Sequence, residues 1–251
     1  MHCQPTIADR RLAMLFLENP AMVRLIDLSH PLEHGQLAFP GDPPVCIDPH
    51  ATIAAQQYNL TRLSMGSHQG THLDAPYHFY KGGRTADRID LGQCYGAAVL
   101  VDLAPGSALR PGTAITPQLL RRHSSAFGVG ARVIYRTGWG RRFGRSDFFE
   151  GYPSLTPDAA RWIVSRRISL LGMDTPGPGA DWLQCHRILL KKGFEVVILE
   201  SLANLDRLPR RFTLVALPLK LRGVDGSPVR AMAIVRSNAG GRPATPRRKD
   251  R

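Results

Sequence analysis

The sequence predicts a single α/β domain, a mixed sheet with flanking helices. Three observations carry this. Apolar, strand-like runs alternate with capped amphipathic segments along the chain. The 251 residues and 43% hydrophobic content supply one full core. There are no internal repeats and no linker long enough to demand a second domain. Residues 1–23 read as an N-terminal extension with a short helix, 24–238 as the domain, and 239–251 as a disordered basic tail.

Residues 26–32 (IDLSHPL) read as a first strand and its exit, and 37–44 (LAFPGDPP) as a loop punctuated by Pro and Gly. Residues 58–66 form a strand leading into HQGTHLDAPYHF (68–79), followed by the polar loop 81–91. The run 94–103 (CYGAAVLVDL) is continuous and apolar, as in a buried strand. Thr116-Pro117 and Thr156-Pro157 each open a helix, with Thr as N-cap and Pro at the first helical position. Residues 131–139 and 168–179 are further strands, the second ending in a Gly- and Pro-rich loop that contains Asp174. Residues 181–193 (DWLQCHRILLKKG) read as a helix closed by Gly193, and 195–202 as the next strand. The runs 212–221 and 229–236 suggest an antiparallel hairpin beside the main sheet, turning at Asp225-Gly226.

Composition narrows the function. The net charge of +13 raises a nucleic-acid partner. Residues 242–251 carry five basic groups and one acid, a net of +4 that leaves +9 on the rest. That remainder comes as Arg pairs on helices and loops, without a recognisable nucleic-acid module, so a solvated basic surface is the expectation. No apolar stretch approaches a membrane span, and the N-terminus makes a poor signal peptide, so a cytoplasmic protein is expected. Cys3, Cys46, Cys94 and Cys185 are scattered without a CxxC pair, which excludes a thiolate zinc site or a disulfide framework. Cys94 and Cys185 read as buried thiols.

The chemistry concentrates in residues 68–79, which hold three of the nine histidines. His68, His72, Asp74 and His78 share one parity, and in an extended chain one face. Leu73, Ala75, Tyr77 and Phe79 would then face the core. His68 and Asp74 would lie about 20 Å apart if fully extended, too far to hold one ion. The chain must bend between them, and Gly70 permits it. Imidazole with carboxylate suits Zn(II), Mn(II) or Fe(II). Asp174 reads either as a group orienting a ligand histidine or as a turn residue.

HQGTHLDAPYHF resembles the signature of the cyclase-like metal-dependent hydrolases, a family that includes bacterial kynurenine formamidases and isatin hydrolases. IDLSHPL, FPGDP, RTGWG, GMDTPGPG and ESLANLDRLP resemble its other blocks, in order. The resemblance implies a swivelling β/β/α fold, a homodimer or larger assembly, and an amidohydrolase using one or two divalent ions, Zn(II) or Mn(II). It implies His68, His72 and Asp74 as ligands of one ion, with Asp74 bridging to a second held by His186 and Glu200. Glu195 is the competing candidate for that last position. His78 becomes the general acid/base, and Phe39 the pocket residue where many kynurenine formamidases have Trp. The activity implied is hydrolysis of N-formyl-L-kynurenine to L-kynurenine and formate. The alternatives are another linear or cyclic amide, such as an isatin-like lactam, and, from another class, a basic nucleic-acid-binding protein with a structural metal.

Overall fold

The computed structural model describes residues 23–236. The expected N-terminal helix, Cys3 and the basic tail lie outside the described residues. The strands are β1 (Val23–Asp27), β2 (Cys46–Ala51), β3 (Leu60–Ser64), β4 (His72–Asp74), β5 (Tyr95–Asp102), β6 (Ala114–Ile115), β7 (Arg132–Arg136), β8 (Ser154–Leu155), β9 (Leu170–Met173), β10 (Val197–Glu200), β11 (Arg211–Val215), β12 (Gly226–Pro228) and β13 (Met232–Arg236). The helices are α1 (Ile53–Gln56), α2 (Leu91–Cys94), α3 (Pro117–Arg121), α4 (Pro157–Ser165) and α5 (Trp182–Leu189).

The helix starts follow their caps. Thr116 and Thr156 accept from the backbone N–H groups of Leu119 and Ala159, and Asp181 accepts from that of Gln184. α5 stops four residues short of Gly193. The next residues turn back on themselves, with Gly193 and Glu195 at positive φ, and feed the chain into β10. Glu195 therefore lies in a turn, paired with Arg84 at 2.9 Å.

Nine strands make one mixed sheet in the order β1-β13-β11-β5-β7-β9-β10-β4-β12. The centre (β5, β7, β9, β10) is parallel, and both wings are antiparallel. Within that centre β7, β9 and β10 are buried on both faces, while β5 is buried only in part. Val133, Tyr135, Leu171 and Ile198 pack under α4 and α5. The alternate residues Ile134, Leu170, Val197 and Leu199 join Ile26 of β1 and Leu73 of β4 in a second core. Residues from opposite wings share that second core, so the sheet curls around it. This double burial is what a continuous apolar run requires.

β11 and β13 do pair antiparallel, but inside the main sheet. The Asp225-Gly226 step is not their turn. The connecting chain instead runs across to β4, and Gly226–Pro228 becomes strand β12 at the sheet edge. β2 and β3 form a separate ribbon, and β3 is exposed along its whole length.

Asp174 at the end of β9 orients no histidine. Its buried carboxylate accepts from Thr137 N (2.9 Å), Thr137 Oγ1 (2.7 Å) and Gly138 N (2.7 Å), fixing the turn after β7 where Gly138 takes a φ of 82°. Asp174→Ala leaves three buried donors unpaired and should cost about 2–4 kcal/mol, read from the urea midpoint at unchanged slope. A loss under about 0.5 kcal/mol, the range of a neutral surface change, contradicts this role.

Candidate functional site

The site is built on β4, which with β12 is one of the two three-residue strands of the main sheet. β4 lies between β10 and β12, with His72 opposite Glu200 and Asp74 opposite Gly226. All three β4 residues are buried. Only 72–74 is extended. Gly70, at φ 63°, turns the preceding segment back so that His68 Nδ1 reaches Asp74 Oδ1 at 2.8 Å. Pro76–His78 is a 3-10 turn, whose three-residue period ends the alternation. Leu73 and Ala75 are buried and Phe79 packs on the core, but Tyr77 is exposed rather than facing inward.

Asp74 is the hub. His72 Nε2 stands 3.3 Å from its Oδ1, and His186 Nε2 stands 3.3 Å from its Oδ2. Glu200 faces the same two rings, 3.5 Å from His72 Nε2 and 3.2 Å from His186 Nε2. The structure thus brings His68, His72, Asp74, His186 and Glu200 together and leaves Glu195 elsewhere. Atoms of His72, Asp74 and Glu200 form one set close enough for a single cation. Those of His68, Asp74 and His78 form a second, with Asp74 common to both.

The outer nitrogens of these rings are occupied. His72 Nδ1 donates to Gly70 O (2.8 Å) and His186 Nδ1 to Trp182 O (2.7 Å). A neutral imidazole that donates from one nitrogen has only a lone pair on the other. Here those lone pairs would face carboxylate oxygens. No aligned hydrogen bond reaches Asp74 Oδ2, although it has no access to water. Only a positive charge resolves the arrangement. Burial opposes charge on His68 and His186, but for His68 the Asp74 and Asp225 carboxylates, and for His186 those of Asp74 and Glu200, outweigh it and lift both to about 10. Burial likewise disfavours the Asp74 carboxylate, yet the three imidazoles hold its pKa well below the ordinary value. The donor set of nitrogen and oxygen suits a borderline divalent cation such as Zn(II) or Mn(II), so the residues present fit one.

The site opens into a cleft of about 550 Å³. Phe39 lines it, packed edge-on against Phe149 and Trp182. His78 lies at the cleft floor, stacked on His68 with centroids 3.8 Å apart. Asp225 was hidden from sequence reasoning. Its Oδ2 stands 3.0 Å from His68 Nε2 and 3.3 Å from His78 Nδ1. The Asp-Gly pair read as a local turn, and nothing local signals that β12 pairs with β4. Phe143, Phe148, Phe149 and Tyr152 of the lining were missed as well, since loop residues carry no periodicity.

In the cation-free protein these imidazolium contacts stabilise the fold. The folded values near 10 exceed the ordinary 6.5, so the contribution is complete below about pH 6.5 and is lost as pH rises through 10. Melting temperatures in chelator should fall between pH 6.5 and 10, and less steeply for His186→Gln. Parallel curves for the two proteins contradict this.

A family model described as a putative cyclase matches residues 26–180. The kynurenine formamidase of Bacillus cereus is 30% identical over 217 residues, covering 82% of this chain and 95% of that protein. Among solved structures, an isatin hydrolase bound to the product analogue thioisatinate superposes with a TM-score of 0.77 at 27% identity, covering 92% of this chain and 98% of its own. A predicted metal-dependent hydrolase from Bacillus stearothermophilus superposes with a TM-score of 0.70 at 26% identity, covering 85% and 99%.

Proposed function

The chain belongs to the putative cyclase family and is a hydrolase, and on that premise we propose that it cleaves the C–N bond of an aryl amide bound over the Asp74 cluster. The observation that carries this reading is a buried carboxylate ringed by imidazole nitrogens at the floor of an aromatic cleft. A divalent cation held by His68, His72, Asp74, His186 and Glu200, as one or two ions, supplies the positive charge that polarises a carbonyl and acidifies a water.

The chain's own groups do the rest. Phe39, Phe149 and Trp182 present ring edges and faces to the aryl group and fix its approach. His78 is part-exposed to the cleft and tethered through Nδ1, which leaves Nε2 to take a proton from the attacking water and return it to the leaving nitrogen. An aniline-type nitrogen is a weak base, which eases that delivery.

Kinship with the kynurenine formamidase favours N-formyl-L-kynurenine as substrate, with kynurenine and formate as products. One observation favours a second reading, an isatin-like lactam. Among the described residues no Lys or Arg lines the cleft, and outside the Asp74 cluster its formally charged side chains are Asp42 and Asp225. A substrate carboxylate seated away from the cluster would be desolvated there without a lysine or arginine to pair with. The same reading includes self-association. Ile53, Tyr58, Leu60 and Leu63 are exposed on and beside the β2–β3 ribbon, and a second copy would cover them.

Protein stripped of metal and reloaded separately with Zn(II) and Mn(II) should hydrolyse N-formyl-L-kynurenine or isatin only when loaded; inertness toward both, with metal bound, removes the reading. His72→Ala should lose both metal and activity, and retained stoichiometric metal would exclude the proposed cluster. His78→Ala should keep metal and lower kcat by roughly 10²–10⁴-fold; near-normal turnover takes His78 out of the mechanism.

A further inference from the structure

Asp225 reaches the site from the residue just before β12, a strand that contributes nothing charged to it. Its backbone is fixed on both sides: Ala75 N donates to Asp225 O at 2.9 Å, and Gly226 pairs with Asp74. Its side chain is fixed as well, since Oδ1 accepts from Ser67 Oγ at 2.8 Å. The remaining oxygen, Oδ2, faces two ring nitrogens, His68 Nε2 at 3.0 Å and His78 Nδ1 at 3.3 Å.

A carboxylate oxygen only accepts, so both facing nitrogens carry hydrogen. Each ring then has one nitrogen left for chemistry. For His68 it is Nδ1, which stands 2.8 Å from Asp74 Oδ1 with a hydrogen between them that a bound cation would displace. For His78 it is Nε2. The two rings stack with an interplanar angle of 28°, so turning one disturbs the other. Gly226 completes the slot. A Cβ there would lie 2.5 Å from His68 Cε1, so the glycine lets β12 pass flat against the ring.

The other two rings need no such help. His72 and His186 are pinned by the backbone carbonyls of Gly70 and Trp182. Among the site histidines, only His68 and His78 have no backbone partner for the ring, and both face the same side-chain oxygen. We propose that Asp225 is a positioning residue that sets both rings at once, presenting His68 Nδ1 as a ligand atom and His78 Nε2 as a proton acceptor. The role given to the ligand atom rests on the metal reading above; the ring orientation does not.

The test uses the full chain with zinc alone as probe, in wild type, Asp225→Asn and Asp225→Ala. Zinc affinity is read by competition with a chromophoric chelator, and nitrogen-15 spectra of the histidine rings show which nitrogens carry hydrogen. Both variants should bind zinc about 10–100-fold more weakly. The wild type should show N–H at His68 Nε2 and His78 Nδ1, and both signals should shift or vanish in the variants, a change that loosened packing alone would not produce. The near-isosteric Asn variant covers the case in which Ala fails to fold. Wild-type zinc affinity and ring signals in Asp225→Asn overturn the proposal. If the wild type itself binds no zinc, the metal reading falls, and the two N–H signals in zinc-free protein still decide the positioning role: their presence in the wild type and loss in the variant upholds it, and their absence or persistence refutes it.

Discussion

The carboxylate of Asp74 sits in the protein with no exposed surface. A charge so placed costs several kcal/mol unless it is compensated, and much of the surrounding structure compensates it. Three imidazoles converge on it from three directions. His72 arrives from the same strand, His68 from the turn made at Gly70, and His186 from α5. Glu200 adds a second carboxylate opposite His72. With two acids and three rings, the cluster holds more lone pairs than hydrogens when the rings are neutral, so it demands a cation or extra protons.

The fold supplies the rigidity this demands. β4 is three residues long and would be marginal alone. It persists because it lies between β10 and β12 and because Leu73 between its two site residues is fully buried in the core. The parallel centre of the sheet delivers Glu200 at a strand's C-terminal end, where α/β sheets commonly bind ligands. The long excursion from β11 returns Asp225 to the same place. The site therefore draws on both the parallel centre and the antiparallel wing of the sheet.

Much of this was legible in the chain. The spacing of His72 and Asp74 gave their shared face, and the distance argument required a bend that Gly70 supplies. The Thr-Pro caps and the apolar runs gave helices and buried strands close to where they lie. His186 and Glu200 were reached only through resemblance, because a helix histidine and a strand-end glutamate carry no local mark of meeting. Asp225 was misread for a definite reason: Asp-Gly is a strong hairpin signal, and the pairing that overrides it is with a strand far earlier in the chain. Tyr77 was misplaced because Pro76 starts a 3-10 turn where the alternation assumed a strand.

The most direct test of this account is the stability of Asp74→Asn against wild type, with and without Zn(II). In chelator at neutral pH, losing the carboxylate that pairs with the charged His68 and His186 should lower the variant's melting temperature below that of the wild type. On adding Zn(II), the wild type should rise by several degrees and the variant should stay where it was. Equal responses to Zn(II) in the two proteins would mean that Asp74 is not the centre of a cation site, and the account would fail at its core.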